Sequence, residues 1–129
     1  MTADQPMPTL STATPEALMQ TFAAHVHAGD LDALLSLYEP DAVFMPEPDV
    51  ILATRGEIRA ALGAMLSLKP AMVVNPGEVL VAGDVALVQN DWSLTGTAPD
   101  GTTITQGGRS ADVVRRQGDG TWRVLIDRP

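Results

Sequence analysis

The fold of this chain is decided by residues 85–127, which read VALVQNDWSLTGTAPDGTTITQGGRSADVVRRQGDGTWRVLID. Two turn sequences, Pro99-Asp100-Gly101 and Gly118-Asp119-Gly120, divide this stretch into three segments of strand-like composition. Turns of this kind join antiparallel neighbours, so the stretch predicts two successive hairpins. The expected strands cover residues 85–95, 102–116 and 121–127. One more strand is expected before them over residues 72–82, ending at Gly83-Asp84.

Helical patterns precede the strands. Thr14-Pro15-Glu16 is a helix-start sequence, because threonine caps, proline fits the first turn and glutamate complements the helix dipole. This first helix is expected to end at Gly29, and Asp30 is expected to cap a short second helix that Pro40 stops. Gly56 is expected to open a third helix. The apolar stripes of the second and third helices comprise Leu31, Leu34, Leu35, Tyr38, Ile58, Ala61, Leu62, Met65 and Leu66.

A glycine pair interrupts the longest strand candidate. Gly107-Gly108 lies within residues 102–116, where glycines weaken a flat ladder and favour a bend or a bulge. A bent sheet has a concave side, and helices packed across that side enclose a cavity. Helices followed by strands, with a brief strand at residues 42–45 between them, indicate an α+β fold with a largely antiparallel sheet. We expect a flexible tail over residues 1–13 and a single domain over residues 14–129.

Composition excludes several classes of partner. The chain has 129 residues, with 16 acidic and 8 basic side chains and a formal net charge of -8. This charge argues against nucleic acid or an anionic membrane as a partner. There is no cysteine and no apolar run of membrane-spanning length, so we expect a cytoplasmic protein with no cofactor. His25 and His27 are two residues apart on a helix and point in different directions, so no metal site is expected.

Several short motifs resemble a known superfamily. The first motifs are Phe22, Gly29-Asp30-Leu31-Asp32-Ala33, Leu37-Tyr38, Asp41-Ala42-Val43-Phe44, Gly56 and Ile58-Arg59. The last motifs are Asp112-Val113-Val114-Arg115-Arg116, Gly118-Asp119-Gly120, Trp122-Arg123-Val124 and Ile126-Asp127. Over about residues 15–128 they resemble the nuclear-transport-factor-two-like superfamily, especially its small SnoaL-like proteins. The resemblance implies a cystatin-like cone, with three N-terminal helices on a strongly curved sheet, a homodimer, and a pocket at the wide end.

The superfamily includes ketosteroid isomerases, which use an aspartate base, a tyrosine and a protonated aspartic acid. By spacing from Gly29, the tyrosine position corresponds to Phe22 and the base position to Pro46. The protonated acid corresponds to Asp112. Because Phe22 has no hydroxyl group and Pro46 cannot abstract a proton, steroid isomerisation by that mechanism is not expected.

Alternation along the strands predicts which side chains line the pocket. An inward Asp112 implies that Ser110 and Val114 also point inward. Trp92 could stack on a planar ligand, or belong to the core or to a dimer interface. An apolar chamber with a few polar groups is typical of a small-molecule site. The predicted lining comprises Phe22, Val26, Phe44, Leu62, Val88, Asn90, Trp92, Ser110, Val114 and Leu125, with the candidate catalytic residues Asp112 and Asp127.

The two aspartates have alternative interpretations. Asp112 is an acid or base with a pKa raised by burial, a ligand-binding group, or a structural partner of Arg109, Arg115 or Arg123. Asp127 forms an acid–base pair with Asp112 if both line one pocket. With an arginine between them, the pair would resemble the epoxide hydrolases of the superfamily. The simpler interpretation of Asp127 is a salt bridge near the chain end.

Two main functional hypotheses follow. The first is a SnoaL-like protein that binds a small apolar organic molecule, acting as a cofactor-free isomerase, cyclase or hydrolase. Asp112 would then be the acid or base, assisted by Asp127 and Asn90. The second is a ligand-binding or dimeric assembly module without turnover. A third alternative is an auxiliary protein of an oxidative pathway.

Overall fold

The computed structural model describes residues 11–129. Within this range a six-stranded sheet packs against three helices. The helices are α1 (Pro15–Ala28), α2 (Leu31–Ser36) and α3 (Arg55–Leu66). The strands are β1 (Tyr38–Glu47), β2 (Val50–Leu52), β3 (Ala71–Ala82), β4 (Val85–Thr97), β5 (Thr103–Arg116) and β6 (Trp122–Asp127).

The expected flexible tail lies mainly in residues 1–10, which are outside the described residues. Its last residues contact the domain. The Ser11 N–H group donates to Thr21 Oγ1 at 3.1 Å, and the Trp122 N–H group donates to the Thr12 carbonyl oxygen at 2.7 Å. These bonds attach residues 11 and 12 to α1 and β6.

Local capping chemistry sets the helix boundaries. At the start of each helix, a side-chain oxygen of the capping residue accepts a hydrogen bond from a backbone N–H group. The capping residues are Thr14, Asp30 and Thr54. Gly29 ends α1 with a left-handed φ of 69°. Thr54 and Glu57 form a reciprocal capping box, which moves the start of α3 from the predicted Gly56 to Arg55.

The strands follow the order β2-β1-β6-β5-β4-β3. The four strands from β3 to β6 are antiparallel neighbours, β1 runs parallel to β6, and β2 folds back on β1. The predicted α+β fold, with helices on a curved and mostly antiparallel sheet, is confirmed.

The second helix is shorter than predicted. It ends at Ser36, and Tyr38 opens β1 opposite Val124 of β6. Pro40 lies within β1, before Val43, where the register against β6 is irregular and a missing N–H group is tolerated. Strand β1 is thus longer than the brief strand predicted from the sequence, and β2 was not predicted. Pairing with β6 overrides the helical spacing of Tyr38.

One residue of β6, Leu125, is a bulge with no counterpart in β5. The pairs on either side of it are Val113–Ile126 and Val114–Val124. Because of the extra residue, Val124 and Asp127 are both buried although they are three positions apart. Simple alternation, which predicted that Leu125 shares a face with Asp127, is therefore wrong for this strand.

The core lies between the helices and the concave face of the sheet. Its fully buried side chains include Leu18, Val26, Leu34, Tyr38, Ile58, Val88 and Val114. No described helix combines the length and the hydropathy needed to cross a membrane.

Candidate functional site

A cavity of about 100 Å³ lies between the helices and the concave face of the sheet. An engineered protein cavity of about 150 Å³ accommodates benzene, so this cavity suits a compact ligand. Its walls are apolar on the helix side and carry polar groups on the strands. The lining comprises Met19, Phe22, Phe44, Leu62, Met65, Met72, Val74, Asn90, Trp92, Leu94, Gln106, Ser110, Asp112, Val124, Asp127 and Pro129.

Most of the predicted lining residues surround this cavity. They are Phe22, Phe44, Leu62, Asn90, Trp92, Ser110, Asp112 and Asp127. Val26, Val88 and Val114 do not line it, because they are fully buried where the helices pack directly on the sheet. Leu125 is excluded by the β6 bulge. The role of the lining residues in ligand binding stays a prediction.

Three methionines of the lining were not predicted. Met19 precedes Phe22 by three residues, and Met65 follows Leu62 by three, so helical spacing could have identified both. Met72 comes from β3. Methionine side chains are flexible and adapt to irregular ligands, so they give this wall an adjustable shape.

The strand side of the cavity begins with a buried amide–hydroxyl pair. Asn90 and Ser110 stand directly opposite each other on β4 and β5. The Asn90 Nδ2 group donates to Ser110 Oγ at 3.2 Å. Both residues are buried, so the pair forms a fixed polar point in the wall.

Two carboxyl groups and a phenol meet beside this pair. Tyr38 is fully buried, and its hydroxyl group donates to Asp127 Oδ2 at 2.5 Å. The backbone N–H group of Arg128 donates to Asp112 Oδ1 at 3.0 Å. Asp112 and Asp127 are only 6% and 9% exposed, so both carboxyl groups have lost most of their hydration.

Burial and mutual repulsion determine where the proton resides. Burial, followed by the negative charge of Asp127, raises the pKa of Asp112 to about 8. Hydrogen bonds from the Arg128 backbone and the Ser110 hydroxyl group oppose this rise. Burial also raises the pKa of Asp127, but hydrogen bonds from Tyr38 and Asp112 favour its charged form. These effects favour the proton on Asp112 and the negative charge on Asp127.

Tyr38 is the residue of this cluster that sequence reasoning missed. Burial, followed by the charge of Asp127, raises the pKa of Tyr38 well above its ordinary value, so the phenol remains a donor. The ring of Phe22 packs edge-on against it, with a centroid distance of 6.0 Å. Tyr38 is the single tyrosine of the chain, and this was the one feature of the sequence that could have identified it as a site residue.

Two of the three arginines considered as partners of the carboxyl groups bind elsewhere. Arg115 forms an ion pair with buried Glu39, and Arg109 pairs with exposed Asp91. Neither candidate carboxyl group takes part in an ion pair within residues 11–129. The salt-bridge interpretation is therefore wrong for both groups, and the arginine-bridged arrangement does not form.

The glycine pair of β5 lies against Trp92 of β4. The register between β4 and β5 is unbroken across Gly107-Gly108, so the bulge considered there is absent. Gly108 stands opposite Trp92, and a Cβ atom at Gly108 would lie 3.7 Å from Trp92 Nε1. This is an ordinary contact distance, whereas a Cβ atom at Gly107 would lie only 2.9 Å from the Trp92 carbonyl oxygen, so Gly107 permits the close approach of the two strands.

No metal centre is formed by the described residues. Within residues 11–129 no group of three or more His, Cys, Asp or Glu side chains could hold a metal ion. His25 is half-buried near the end of α1 and is not part of the cavity lining. The absence of a cofactor stays a prediction from the sequence.

Three helices packed on a curved, mostly antiparallel sheet form the fold that this chain shares with solved NTF2-like proteins. A family model described as a SnoaL-like domain matches residues 19–124, and the chain belongs to this family. The predicted SnoaL-like resemblance is thereby confirmed. No curated protein matches the chain.

Three solved structures illustrate the similarity. A Xanthomonas campestris protein named for a calcium/calmodulin-dependent protein kinase II association domain is 27% identical, with a TM-score of 0.77 over 88% of this chain and 81% of that one. A ketosteroid isomerase-like protein from Erwinia carotovora atroseptica is 18% identical, with a TM-score of 0.76 over 90% and 92%. An NTF2-like protein with a cystatin-like fold from Novosphingobium aromaticivorans is 21% identical, with a TM-score of 0.71 over 85% and 74%.

Proposed function

We propose that this SnoaL-like protein is a cofactor-free enzyme that moves a proton on a compact, mostly apolar organic molecule. Isomerase, cyclase and hydrolase reactions all need such a step. The observation that carries the proposal is that the buried carboxyl groups of Asp112 and Asp127 both line the polar side of an apolar cavity.

The two carboxyl groups have different roles. Asp112 is the general acid, because its raised pKa keeps it protonated while leaving the proton easy to transfer near neutral pH. Asp127 is the general base, and Tyr38 is a positioning residue that holds its carboxylate. The apolar walls exclude water and strengthen interactions with charge that develops on the ligand.

Removal of the acid tests this proposal. We expect wild-type protein to convert, or to exchange deuterium into, at least one member of a panel of small ketones, lactones and epoxides in D2O. Asp112→Asn is expected to slow that reaction by about 10²–10⁴-fold, the usual contribution of general acid–base catalysis. NMR spectra of the panel members would follow the reaction.

Asp91→Asn is the matched control, because Asp91 is an exposed acid on the neighbouring strand. It is expected to react like wild type. An Asp112→Asn variant as active as wild type would refute the catalytic role, and so would a panel that stays unchanged with wild-type protein.

A specific observation supports the second function, homodimeric assembly. Five apolar side chains form one row across the outer face of the sheet, in direct register over β3, β4, β5, β6 and β1. The row comprises Leu80, Leu87, Val113, Ile126 and Val43. Leu80 is 54% exposed, and the row spans roughly 19 Å at the usual strand spacing. The Xanthomonas campestris protein, named for an association domain, has a similar fold.

We propose that a second copy of the chain covers this row. Such a contact would bury the same patch on both subunits, as two-fold symmetry requires.

Cytoplasmic location also remains a proposal from the sequence.

Sedimentation equilibrium tests the dimer. Leu87→Asp places a charge in the centre of the row and is expected to weaken association at least about tenfold. Ala60→Asp, on the exposed side of α3, is the control and is expected to sediment like wild type. A wild-type protein that stays monomeric at high concentration would contradict the dimer.

A further inference from the structure

Two buried polar atoms next to the cavity have no hydrogen-bond partner within residues 11–129. They are Asn90 Oδ1 and Trp92 Nε1, and both residues line the cavity. Asn90 is 2% exposed. Buried polar groups in proteins are nearly always paired, so two orphaned atoms in one wall indicate that a ligand completes the pairing.

The orphaned oxygen of Asn90 is an acceptor. Ser110 Oγ accepts the bond that joins it to Asn90, at 3.2 Å. The amide nitrogen of Asn90 is the donor in that bond, which leaves the amide oxygen without a partner.

The orphaned nitrogen of Trp92 is a donor, since the indole group has no acceptor atom. Gly108 stands opposite it and offers no side chain. The cavity therefore presents one unpaired acceptor and one unpaired donor on the same face of β4.

The register of β4 and β5 orders these groups along the cavity. Asp112, Ser110 and Gly108 are paired with Val88, Asn90 and Trp92, in that order. Successive inward positions are separated by roughly 7 Å along a strand. A ligand group bound by Asn90 thus lies next to the acid, and a group bound by Trp92 lies one step farther away.

We propose that the cavity binds a hydroxylated carbonyl compound, whose carbonyl oxygen accepts from Trp92 Nε1 and whose hydroxyl group donates to Asn90 Oδ1. The proposal deepens the proposed function by naming a substrate class for the same cavity. The hydroxyl-bearing carbon then lies beside Asp112, and the carbonyl group lies toward Trp92. Tryptophan acts here through its N–H group rather than by stacking.

Three probes of matched ring size test the assignment: cyclopentane, cyclopentanone and 3-hydroxycyclopentanone. Their binding is followed by the 13C methyl signals of Met65 and Met72, which line the cavity. The wild type is expected to prefer the ketone to cyclopentane, and the hydroxyketone to the ketone, by about tenfold each, the effect of one well-formed buried hydrogen bond. The Trp92 indole N–H signal should move downfield with both ketones, while that of Trp122 stays in place.

Each variant is expected to remove one preference. Trp92→Phe keeps an aromatic ring and should lose the preference for the ketone over cyclopentane, while the effect of the hydroxyl group remains. Asn90→Leu should lose the preference for the hydroxyketone over the ketone, while the preference for the ketone over cyclopentane remains. Trp122→Phe, which removes an indole outside the cavity lining, is the control and should retain both preferences.

The proposal is overturned if Trp92→Phe still prefers the ketone, if Asn90→Leu still responds to the hydroxyl group, or if no probe perturbs the methyl signals up to its solubility. Preferences without turnover would refute the proposed enzyme but not this assignment, and turnover with unchanged preferences in the variants would refute only the assignment.

Discussion

Asp112→Asn is expected to stabilise the protein at neutral pH, by on the order of 4 kcal/mol at pH 7. The pKa of Asp112 is raised from 3.8 to about 8 by folding. Between these values the native state binds the proton more tightly than the unfolded state, so the free energy of unfolding falls as the pH rises. Asparagine is neutral in both states, so the free energy of unfolding of the variant does not decrease with pH for this reason.

The two proteins should therefore be similar in stability below about pH 4 and diverge up to about pH 8. Urea denaturation across this range would measure the difference. Asp91→Asn controls for the exchange of acid for amide on an exposed surface. A difference between Asp112→Asn and wild type that does not change with pH would show that Asp112 is not a buried acid.

Tyr38→Phe is expected to destabilise the protein by about 1.5–3 kcal/mol at pH 7, the range for a hydrogen bond to a charged group. The substitution leaves the Asp127 carboxylate buried without its phenol donor. Because the Tyr38 bond lowers the pKa of Asp127, its loss raises that pKa further. A raised acid pKa reduces stability as the pH rises, so the destabilisation should be larger at pH 8 than at pH 5.

A double-mutant cycle isolates this interaction. In an Asp127→Asn background the phenol faces a neutral amide, so Tyr38→Phe should lower the free energy of unfolding by only about 1 kcal/mol. Denaturation of the four proteins at both pH values supplies the comparison. An equal cost in both backgrounds would mean that the lost stability comes from packing against Phe22 rather than from the hydrogen bond.

Local sequence patterns were sufficient for the fold and for one side of the site. Turn sequences around Pro99 and Gly118 determine the hairpins, and period-two alternation correctly orients Asn90, Ser110 and Asp112 because β4 and β5 pair without interruption. The capping residues of the helices act over three or four positions, so they too are visible in the sequence.

The rest of the site depends on contacts between distant residues. Tyr38 has helical spacing, but its pairing with β6 makes it a strand residue and brings its hydroxyl group to Asp127. The bulge at Leu125 depends on how β5 and β6 align, and no local sequence pattern predicts it. Arg115 forms an ion pair with Glu39, which is 76 positions away in the sequence, and is therefore not available as a partner of Asp112.

The catalysis proposed for this cavity requires Asp112 to hold a proton near neutral pH. A titration of the side-chain carboxyl 13C signals, assigned with Asp112→Asn, observes that proton directly. We expect Asp112 to titrate with an apparent midpoint near 8. Asp100 and Asp119, whose pKa values are lowered by hydrogen bonds to Thr102 and Thr121, should titrate in the acid range and serve as references. A midpoint for Asp112 in the same acid range would contradict the proton-sharing pair and the catalysis assigned to it.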